Sequence, residues 1–433
     1  MNFIYIHTHD TGRYISPYGY DVPTPNLLAF AKEGTLFRKA YSTAPTCSAS
    51  RSSMLCGMYP HSTGMLGLAH RGFSLTDPQR HLSSYLGRNG YHTVLCGIHH
   101  EGNNPKEFGY QDIITRNRFS PTDSIRFDTD NADAACTFLK AEHPTPFFLS
   151  FGMFSTHLPY PENDEFDENY IMPPYPIADT VQNRKHYGNF LKSVSTADNC
   201  IGTVIDTIKG QHLWDDSILL YTTDHGLALP NMKCTLYDTG IGVSLILAGG
   251  AIEKGACIED LVSHIDLFPT ICDLLHLPKP GWLQGKSLLP LLEKNQPIRE
   301  YVFSEVTFHA SYQPMRSVRT KKYKLIRLFY DPVKELFANI DASCAKDYLL
   351  ESNLFHRKTE PVMLFDLECD PMERQNLAEE PKYREIRDNL RSVLQNHMEQ
   401  TEDPLLKGDV PIPFGALVNK EVCIHAEEND FIS

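Results

Sequence analysis

Long apolar runs are missing from this sequence of 433 residues. No stretch approaches the roughly 18 consecutive apolar residues that a membrane-spanning helix needs, so the sequence predicts no membrane partner. Close cysteine pairs are missing too, because the eleven cysteines, an odd number, contain no CxxC spacing. Both features argue against a disulfide framework and against a thiolate zinc site. We therefore expect mostly reduced cysteines that pack as small hydrophobic side chains.

Positive charge is also scarce. The formal net charge is −14 and no basic stripe is present, so nucleic acid is not expected as a partner. An anionic substrate would need a local concentration of positive charge. The first residues, "MNFIYIHTHD", lack the basic segment and cleavage site of a secretory leader and are typical of a buried strand. A cytoplasmic location follows if Met1 is the native start, whereas a periplasmic or secreted chain trimmed of its leader would have the same sequence.

Strand and helix patterns alternate along residues 1–300, which we interpret as one catalytic domain. The predicted strands cover residues 2–8, 91–97, 146–153, 217–224 and 242–249. The predicted helices cover residues 24–34, 130–143, 187–209 and 265–277. This alternation predicts an α/β fold with a mainly parallel sheet sandwiched by helices.

The pattern changes over residues 301–433. Three short strand-like runs, "EYVFSEV", "PMRSVRT" and "KYKLIRLFY", follow one another and precede a single helix near residues 380–399. Consecutive strands of this kind indicate an antiparallel sheet. We expect a smaller C-terminal α+β subdomain.

Polar side chains cluster where four predicted strands end. Ligands of open α/β sheets bind beyond the carboxyl ends of the strands, so these residues are candidates for function. Carboxylates favour Ca²⁺ or Mg²⁺, whereas imidazoles favour Mn²⁺ or another transition metal. Any one of these side chains alone could simply cap a turn, but their convergence on one sheet edge favours a site for a divalent metal ion. The candidate ligands are His9, Asp10, Asp224 and His225.

The stretch "APTCSASRSSMLCG" (residues 44–57) places Cys47 just before a predicted helix N-terminus and Arg51 four residues later. Free N–H groups at a helix N-terminus favour an anion, and a guanidinium adds a planar cation. The segment therefore predicts an anion site next to a thiol. The pattern CxxxR is weak by itself, so a buried thiol, a nucleophile and the precursor of a modified residue all remain open.

Taken together, these motifs resemble the type I sulfatase family. "CSASR" matches the signature C-x-[PSA]-x-R, and "SSMLCGMYPHSTG" resembles the sequence that follows it in the family. "TTDHG" resembles the later metal-ligand motif, and "MLFDLECDPMERQNLA" resembles a passage near the family's C-terminus. Within the family, "SEVTFHASYQPMRSVRTKKYKLI" is most similar to the heparan N-sulfatase group, the N-sulfoglucosamine sulfohydrolases.

The resemblance implies an alkaline-phosphatase-like fold and a specific chemistry. A maturing enzyme, the formylglycine-generating enzyme, would oxidise Cys47 to formylglycine, whose hydrate attacks sulfur with help from one divalent ion, Ca²⁺ first and Mg²⁺ or Mn²⁺ as alternatives. Arg51 and Lys233 would neutralise the sulfate oxygens, and His100 or His157 would protonate the leaving group. The substrate would be a small sulfated saccharide, with the N-sulfate of glucosamine preferred over an O-sulfate. Further candidates for binding the sugar are His99, Glu305, His309 and Arg316.

Three positions depart from the family pattern. Where the family usually has two adjacent acids after the first strand, this sequence has His9-Asp10. Where the family commonly has Asp-Asn, this sequence has Asp224-His225. In "GIHH" (residues 97–100), Ile98 stands where the family has a sulfate-binding lysine, and His99 is a candidate to compensate. Two alternatives therefore stay open: a phosphonate or phosphate ester hydrolase of the same superfamily, and a catalytically silent binding protein.

Overall fold

The computed structural model describes residues 1–117, 120, 123–331, 336–352 and 360–432. Its strands are β1 (Asn2–Thr8), β2 (Gly34–Tyr41), β3 (His92–Gly97), β4 (Asp112–Ile113), β5 (Phe147–Gly152), β6 (Ser217–Thr223), β7 (Gly242–Val243), β8 (Leu245–Ala248), β9 (Ala256–Ser263), β10 (Val302–Phe308), β11 (Tyr312–Arg319), β12 (Tyr323–Leu328) and β13 (Val362–Asp366). Its helices are α1 (Pro25–Lys32), α2 (Cys47–Cys56), α3 (Pro60–Thr63), α4 (Leu82–Arg88), α5 (Ser124–Leu139), α6 (Val181–Gly210), α7 (Asp238–Ile241), α8 (Leu267–Leu274), α9 (Leu289–Lys294), α10 (Cys344–Glu351) and α11 (Arg384–Gln400).

Nine of the described strands form one large sheet in the order β4-β3-β5-β1-β6-β8-β2-β7, with β9 pairing to β2. The run from β4 to β6 is parallel, and β9 is parallel to β2. Only β7 and β8 pair antiparallel with their neighbours in this part of the chain. The predicted mainly parallel α/β sheet is therefore confirmed. The carboxyl ends of β1, β3, β5 and β6 lie along one edge of it.

The large sheet is covered on both faces. Along β1, Phe3 and Tyr5 belong to one hydrophobic cluster, and Ile4 and Ile6 belong to another. Successive side chains of a strand point to opposite faces, so the four consecutive apolar residues 3–6 show that this strand is buried between two layers. Helices α2, α4 and α8 contribute to the first cluster, and α1, α5 and α6 contribute to the second.

A second sheet holds β10, β11, β12 and β13 in that order, and all its pairings are antiparallel. Helix α11 packs its buried residues Leu390, Leu394 and Met398 into the first hydrophobic cluster. The expected C-terminal antiparallel sheet is confirmed, whereas a domain boundary at residue 300 stays a prediction. Several predicted bounds shift: the helix predicted at 130–143 is Ser124–Leu139, and the one at 187–209 starts at Val181.

The structure also bears on the cysteines and on membrane-spanning helices. All eleven cysteines fall within described residues and carry free thiols. Among the helices described, none has the length and apolar character needed to cross a bilayer.

The ends of β3 and β5 approach each other unusually closely next to the polar edge of the sheet. Gly97 ends β3 with φ 83°, and a Cβ there would lie 2.0 Å from the carbonyl oxygen of Gly152. A Cβ on Gly152 would meet the His7 ring at 2.4 Å. Glycine tolerates both the left-handed backbone and the contact. This pair therefore lets the loop after β3 reach the end of β1.

We expect Gly97→Ala to destabilise the protein more than Gly90→Ala. Gly90 has φ 87° with open space around its Cβ position, so it reports the backbone strain alone, about 1 kcal/mol. Gly97→Ala adds a backbone clash to the same strain. Urea unfolding of both variants measures the difference, and equal losses would contradict the importance of the close approach.

Candidate metal and anion site

The residues after β1 and β6 form one buried group of nitrogen and oxygen donors. Parallel pairing sets Thr8 of β1 beside Thr223 of β6, so the residues that follow are neighbours. His225 Nε2 lies 3.2 Å from Asp10 Oδ1 and 3.7 Å from Asp224 Oδ2. His9 Nδ1 lies 3.3 Å from Asp224 Oδ2. The four predicted metal ligands are therefore brought together.

The hydrogen bonding of His225 favours a cation between these groups. Its Nδ1 lies 2.9 Å from the carbonyl oxygen of Gly226, so Nδ1 carries the hydrogen and donates it. Nε2 then points at the carboxylates of Asp10 and Asp224, an arrangement that either a proton on Nε2 or a metal ion between these groups would stabilise. A histidine that donates its second nitrogen to a carbonyl is the usual arrangement of a metal ligand. The donor set therefore fits a divalent ion.

Cys47 is the first residue of α2 and lies against the same donors. Its Sγ is 3.2 Å from His225 Nε2 and 3.8 Å from Asp10 Oδ1. Burial raises the pKa of the thiol well above its ordinary value, and the carboxylate of Asp10 adds to the increase. The thiol is therefore protonated and is a weak nucleophile in its unmodified form. Its position, rather than its reactivity, makes it part of the site.

Arg51 is fully buried and fixes the two strand ends to each other. Its Nη2 donates to Asp224 Oδ2 at 3.0 Å and to the carbonyl oxygen of Thr8 at 2.8 Å, and its Nη1 donates to His7 Nδ1 at 2.6 Å. Burial lowers the pKa of His7, and Arg51 lowers it further. A neutral His7 is what the accepting Nδ1 requires. The structure thus gives Arg51 a positioning role, and its predicted contact with sulfate stays a prediction.

Lys233 supplies the second positive charge. Its Nζ lies 3.1 Å from Asp10 Oδ2 and 2.8 Å from Asp341 Oδ2. Burial lowers the pKa of Lys233, but Asp10 and Asp341 outweigh it and leave the pKa well above its ordinary value. The ammonium group is therefore charged and lies beside the metal-type donors, where the sequence predicted an anion ligand.

A group of imidazoles covers the donors on one side. The ring of His9 lies 5.0 Å from that of His100 and 5.6 Å from that of His157. Burial lowers the pKa of all three rings below its ordinary value. These imidazoles are therefore mostly neutral near pH 7, which suits a metal ligand at His9.

The four predicted sugar-binding residues divide into two sets. His309 lies near Lys233 and Asp341, and burial lowers its pKa to about 3 although Asp341 opposes this. The ring of His99 instead lies against Phe108 and its Nδ1 accepts from the amide of Glu101, so it does not replace the missing lysine at position 98.

Glu305 and Arg316 lie inside the protein rather than on a sugar-binding surface. The carboxylate of Glu305 accepts from the backbone N–H of His61 at 2.8 Å and pairs with its ring at 2.5 Å. Arg316 makes a bidentate pair with Asp403, and both partners are buried. We expected Glu305 and Arg316 to bind the sugar, but the structure corrects this expectation, because both side chains are buried and already paired with other residues of the protein.

Sequence reasoning missed two residues at the site. Asp341 pairs with Lys233, but it lies in an irregular segment with no motif around it. His70 is exposed and its ring stacks 6.2 Å from that of His100. The sequence did contain a signal for His70, because this residue ends the passage "STGMLGLAH" (residues 62–70), which follows the signature segment that contains Cys47 and Arg51.

The charges of the site match a monoanion. Asp10, Asp224 and Asp341 carry three negative charges, and Arg51 and Lys233 carry two positive ones. A divalent ion changes the net charge of the site from −1 to +1. A sulfate ester or a sulfamate carries one negative charge and would neutralise the site, which a phosphate monoester dianion would not.

The fold and this geometry define an α/β protein with a candidate site for a metal ion and an anion at the carboxyl edge of its sheet. The sulfatase family model matches residues 1–277, the model for the C-terminal part of N-sulphoglucosamine sulphohydrolase matches residues 231–343, and the model for the C-terminal region of aryl-sulfatase matches residues 303–409. The chain belongs to the sulfatase family, and it is a sulfuric ester hydrolase by that membership.

Individual relatives act on several sulfated compounds. Human N-sulphoglucosamine sulphohydrolase is 27% identical over 88% of this chain and 86% of its own length. A Δ4,5-hexuronate-2-O-sulfatase of Bacteroides thetaiotaomicron is 25% identical over 93% of this chain and 89% of its own. A sulfatase solved with D-glucosamine-2-N,6-O-disulfate superposes with a TM-score of 0.73 at 18% identity, covering 93% of this chain and 98% of that one. The phosphonate monoester hydrolase of Agrobacterium radiobacter superposes with a TM-score of 0.74 at 17% identity, covering 97% and 99%.

The Glu305 cluster predicts a specific loss of stability in acid. Burial raises the pKa of Glu305, but His61 and Arg316 outweigh it and lower it from 4.5 to about 2. The stabilisation is therefore present above pH 4.5 and is lost as the pH falls toward 2, and we expect Glu305→Gln to lose about 3 kcal/mol of unfolding free energy at pH 5.5.

The control is Glu300→Gln, which removes an exposed carboxylate. Urea unfolding at pH 5.5 and at pH 3 should show the gap between wild type and Glu305→Gln shrinking in acid. A gap that is the same at both pH values would rule out the charged cluster as its source.

Proposed function

We propose that this sulfatase hydrolyses the N-sulfate of glucosamine units in small heparin- or heparan-derived saccharides. The observation that carries the proposal is the position of Cys47 against His225 and Asp10, with the Lys233 ammonium beside them. The 27% identity to human N-sulphoglucosamine sulphohydrolase and the match of its C-terminal model support the choice of sugar. A saccharide is therefore the proposed partner, and the enzyme that converts Cys47 to formylglycine is a second one.

The chemistry of the reaction comes from two groups that this chain would hold. A formylglycine at position 47 would supply a hydrated aldehyde as the nucleophile, and His9, Asp10, Asp224 and His225 would hold a divalent ion that would supply the charge to activate it. Arg51 keeps Asp224 ionised and in place. Lys233 neutralises the sulfate oxygens as the S–N bond breaks.

The proton for the leaving amine comes from the exposed side of the site. His157 is the best placed candidate, because its Nδ1 donates to the carbonyl oxygen of Leu158 at 2.6 Å and its Nε2 faces the site, 3.9 Å from Asp10 Oδ2. Nε2 takes up a proton from solvent, through the partly exposed face of the ring, before it passes one to the amine. His100 stands next to it, with ring centroids 5.9 Å apart. An amide anion is a poor leaving group, so a sulfamidase depends strongly on such a donor.

Two neighbouring activities have support of their own. O-sulfatases occur among the relatives, including one that acts on hexuronate 2-O-sulfate. Phosphonate monoester hydrolysis has the support of the Asp224-His225 pair, and a phosphonate monoester is also a monoanion. A silent binding protein is disfavoured, because Cys47 lies within 3.8 Å of both Asp10 and His225 and Lys233 pairs with the same Asp10.

A panel of substrates tests the reaction and its class. Protein co-produced with a maturing enzyme should contain formylglycine at position 47 by peptide mass spectrometry. It should release sulfate from N-sulfoglucosamine faster than from 6-O-sulfated glucosamine, a 2-O-sulfated uronate or a phosphonate monoester.

Cys47→Ala should lower this rate by at least about 1,000-fold, because the attacking group is gone. Cys56→Ala, at the other end of α2, should retain the wild-type rate. Faster turnover of the phosphonate would contradict the sulfatase assignment of the activity, and faster turnover of an O-sulfate would contradict the N-sulfate.

We further propose that the bound ion is a transition metal such as Mn²⁺ rather than Ca²⁺. Calcium takes six to eight oxygen ligands, whereas two of the four donors here are imidazole nitrogens. His9 adds to the argument, because its Nε2 is buried and has no hydrogen-bond partner in the described part of the chain.

Metal binding to chelator-treated protein measures this preference without any assay of activity. The loss of the free Mn²⁺ signal in electron paramagnetic resonance should show binding at least about tenfold tighter than that of competing Ca²⁺. His225→Asn replaces a nitrogen donor by an amide oxygen and should reduce the preference for Mn²⁺ over Ca²⁺. His212→Asn, at an exposed position, should leave this preference unchanged. Tighter binding of Ca²⁺ by the wild type would contradict the proposal.

A further inference from the structure

The entrance to the site carries an acid that the reaction itself does not use. Exposure of the side chains increases along one line, from 0% at Asp10 through 5% at Lys233 to 22% at Asp341. His157, 20% exposed, is also at the outer end. Asp341 therefore lies where the part of the substrate beyond the sulfate group has to sit.

A carboxylate in this place opposes the binding of an anion. Lys233 is shared between Asp341 and Asp10, so Asp341 reduces the positive charge available to sulfate. Such a group is costly at an anion site unless it binds something else. A hydrogen-bond donor or a cation on the substrate, next to the sulfate, would provide that compensation.

Two buried groups that interact electrostatically with Asp341 also lack hydrogen-bond partners among the described residues. The Nδ1 of His309 and the hydroxyl of Tyr160 are buried, and neither has a hydrogen-bond partner in the parts of the chain that the structure describes. Burial raises the pKa of Tyr160, and Asp10 contributes to the increase, so its hydroxyl stays neutral. Buried polar groups normally have partners, so these two are available to a ligand.

The segment that carries Asp341 is held rigidly. The ammonium of Lys346 donates to the carbonyl oxygen of Ile340 at 2.8 Å and to that of Ile424 at 2.7 Å. Asn339 accepts from the backbone N–H of Ser311 at 2.7 Å. Asp341 is therefore positioned before a ligand arrives, as a specificity residue needs to be.

We propose that Asp341 recognises a hydrogen-bond donor on the sugar next to the sulfate, such as a hydroxyl or the sulfamate N–H, whose nitrogen becomes the ammonium group of the product. This selects amino sugars and neutral sugars, and it disfavours sugars with a carboxylate at that position, such as uronates. The inference rests on the proposed function for the position of the sugar and extends it to the group that sets specificity.

Binding of the two reaction products separates this role from a structural one. Glucosamine carries the ammonium group and inorganic sulfate carries the anion, and each can be titrated calorimetrically into metal-loaded protein. Asp341→Asn should weaken glucosamine binding by about tenfold, because a charge-assisted hydrogen bond is lost. The same variant should bind sulfate as tightly as the wild type or more tightly, because Lys233 then has only Asp10 as an acidic neighbour.

Asp347→Asn is the matched control, since it removes the same charge from an exposed position six residues further along the chain. It should change neither affinity. Weaker binding of both products in Asp341→Asn would indicate a loosened site and overturn the inference, as would unchanged glucosamine binding. If Asp341→Asn weakens glucosamine binding but not sulfate binding, and the wild type hydrolyses no N-sulfate, the inference is supported and the proposed function is contradicted.

Discussion

The buried ion pair between Arg51 and Asp224 sets the state of the whole site. Burial raises the pKa of Asp224, but Arg51, His225 and His9 together outweigh burial and keep the carboxyl ionised. Burial and then Arg51 lower the pKa values of His7 and His9. Ionised carboxylates beside neutral imidazoles are the protonation states that a metal ion requires of its ligands. A buried ion pair contributes little net stability, so its value here lies in fixing these states.

Lys233 connects the metal ligands to the entrance. Its ammonium lies between Asp10 and Asp341, two carboxylates at different depths. A divalent ion on Asp10 would neutralise the inner carboxylate and leave Lys233 more available to an anion. Anion binding and metal binding are therefore linked through one side chain, and the net charge of the loaded site suits a monoanion better than a dianion.

The sequence allowed the large sheet and the metal group to be predicted for a physical reason. Parallel strands place their carboxyl ends at one edge, so polar residues after β1 and β6 must converge even though Asp10 and Asp224 are 214 residues apart. No such rule applied to Glu305 and Arg316, whose partners His61 and Asp403 lie 244 and 87 residues away. Only the packed structure shows that these charges are already paired. Asp341 was missed because an irregular segment has no periodicity from which to place it.

The isoleucine at position 98 is consistent with this distribution of charge. Its backbone N–H donates to the carbonyl oxygen of Gly152, and its side chain brings no charge to the site. Arg51 is fully buried and committed to Asp224 and His7, whereas Lys233 lies further out, between Asp10 and Asp341, so we expect Lys233 to be the cation that contacts a bound sulfate. Neutral imidazoles provide the remaining donors, and the buried Nδ1 of His100 has no partner in the described chain. Such donors hold a singly charged group adequately, whereas a doubly charged one would leave the site with uncompensated negative charge.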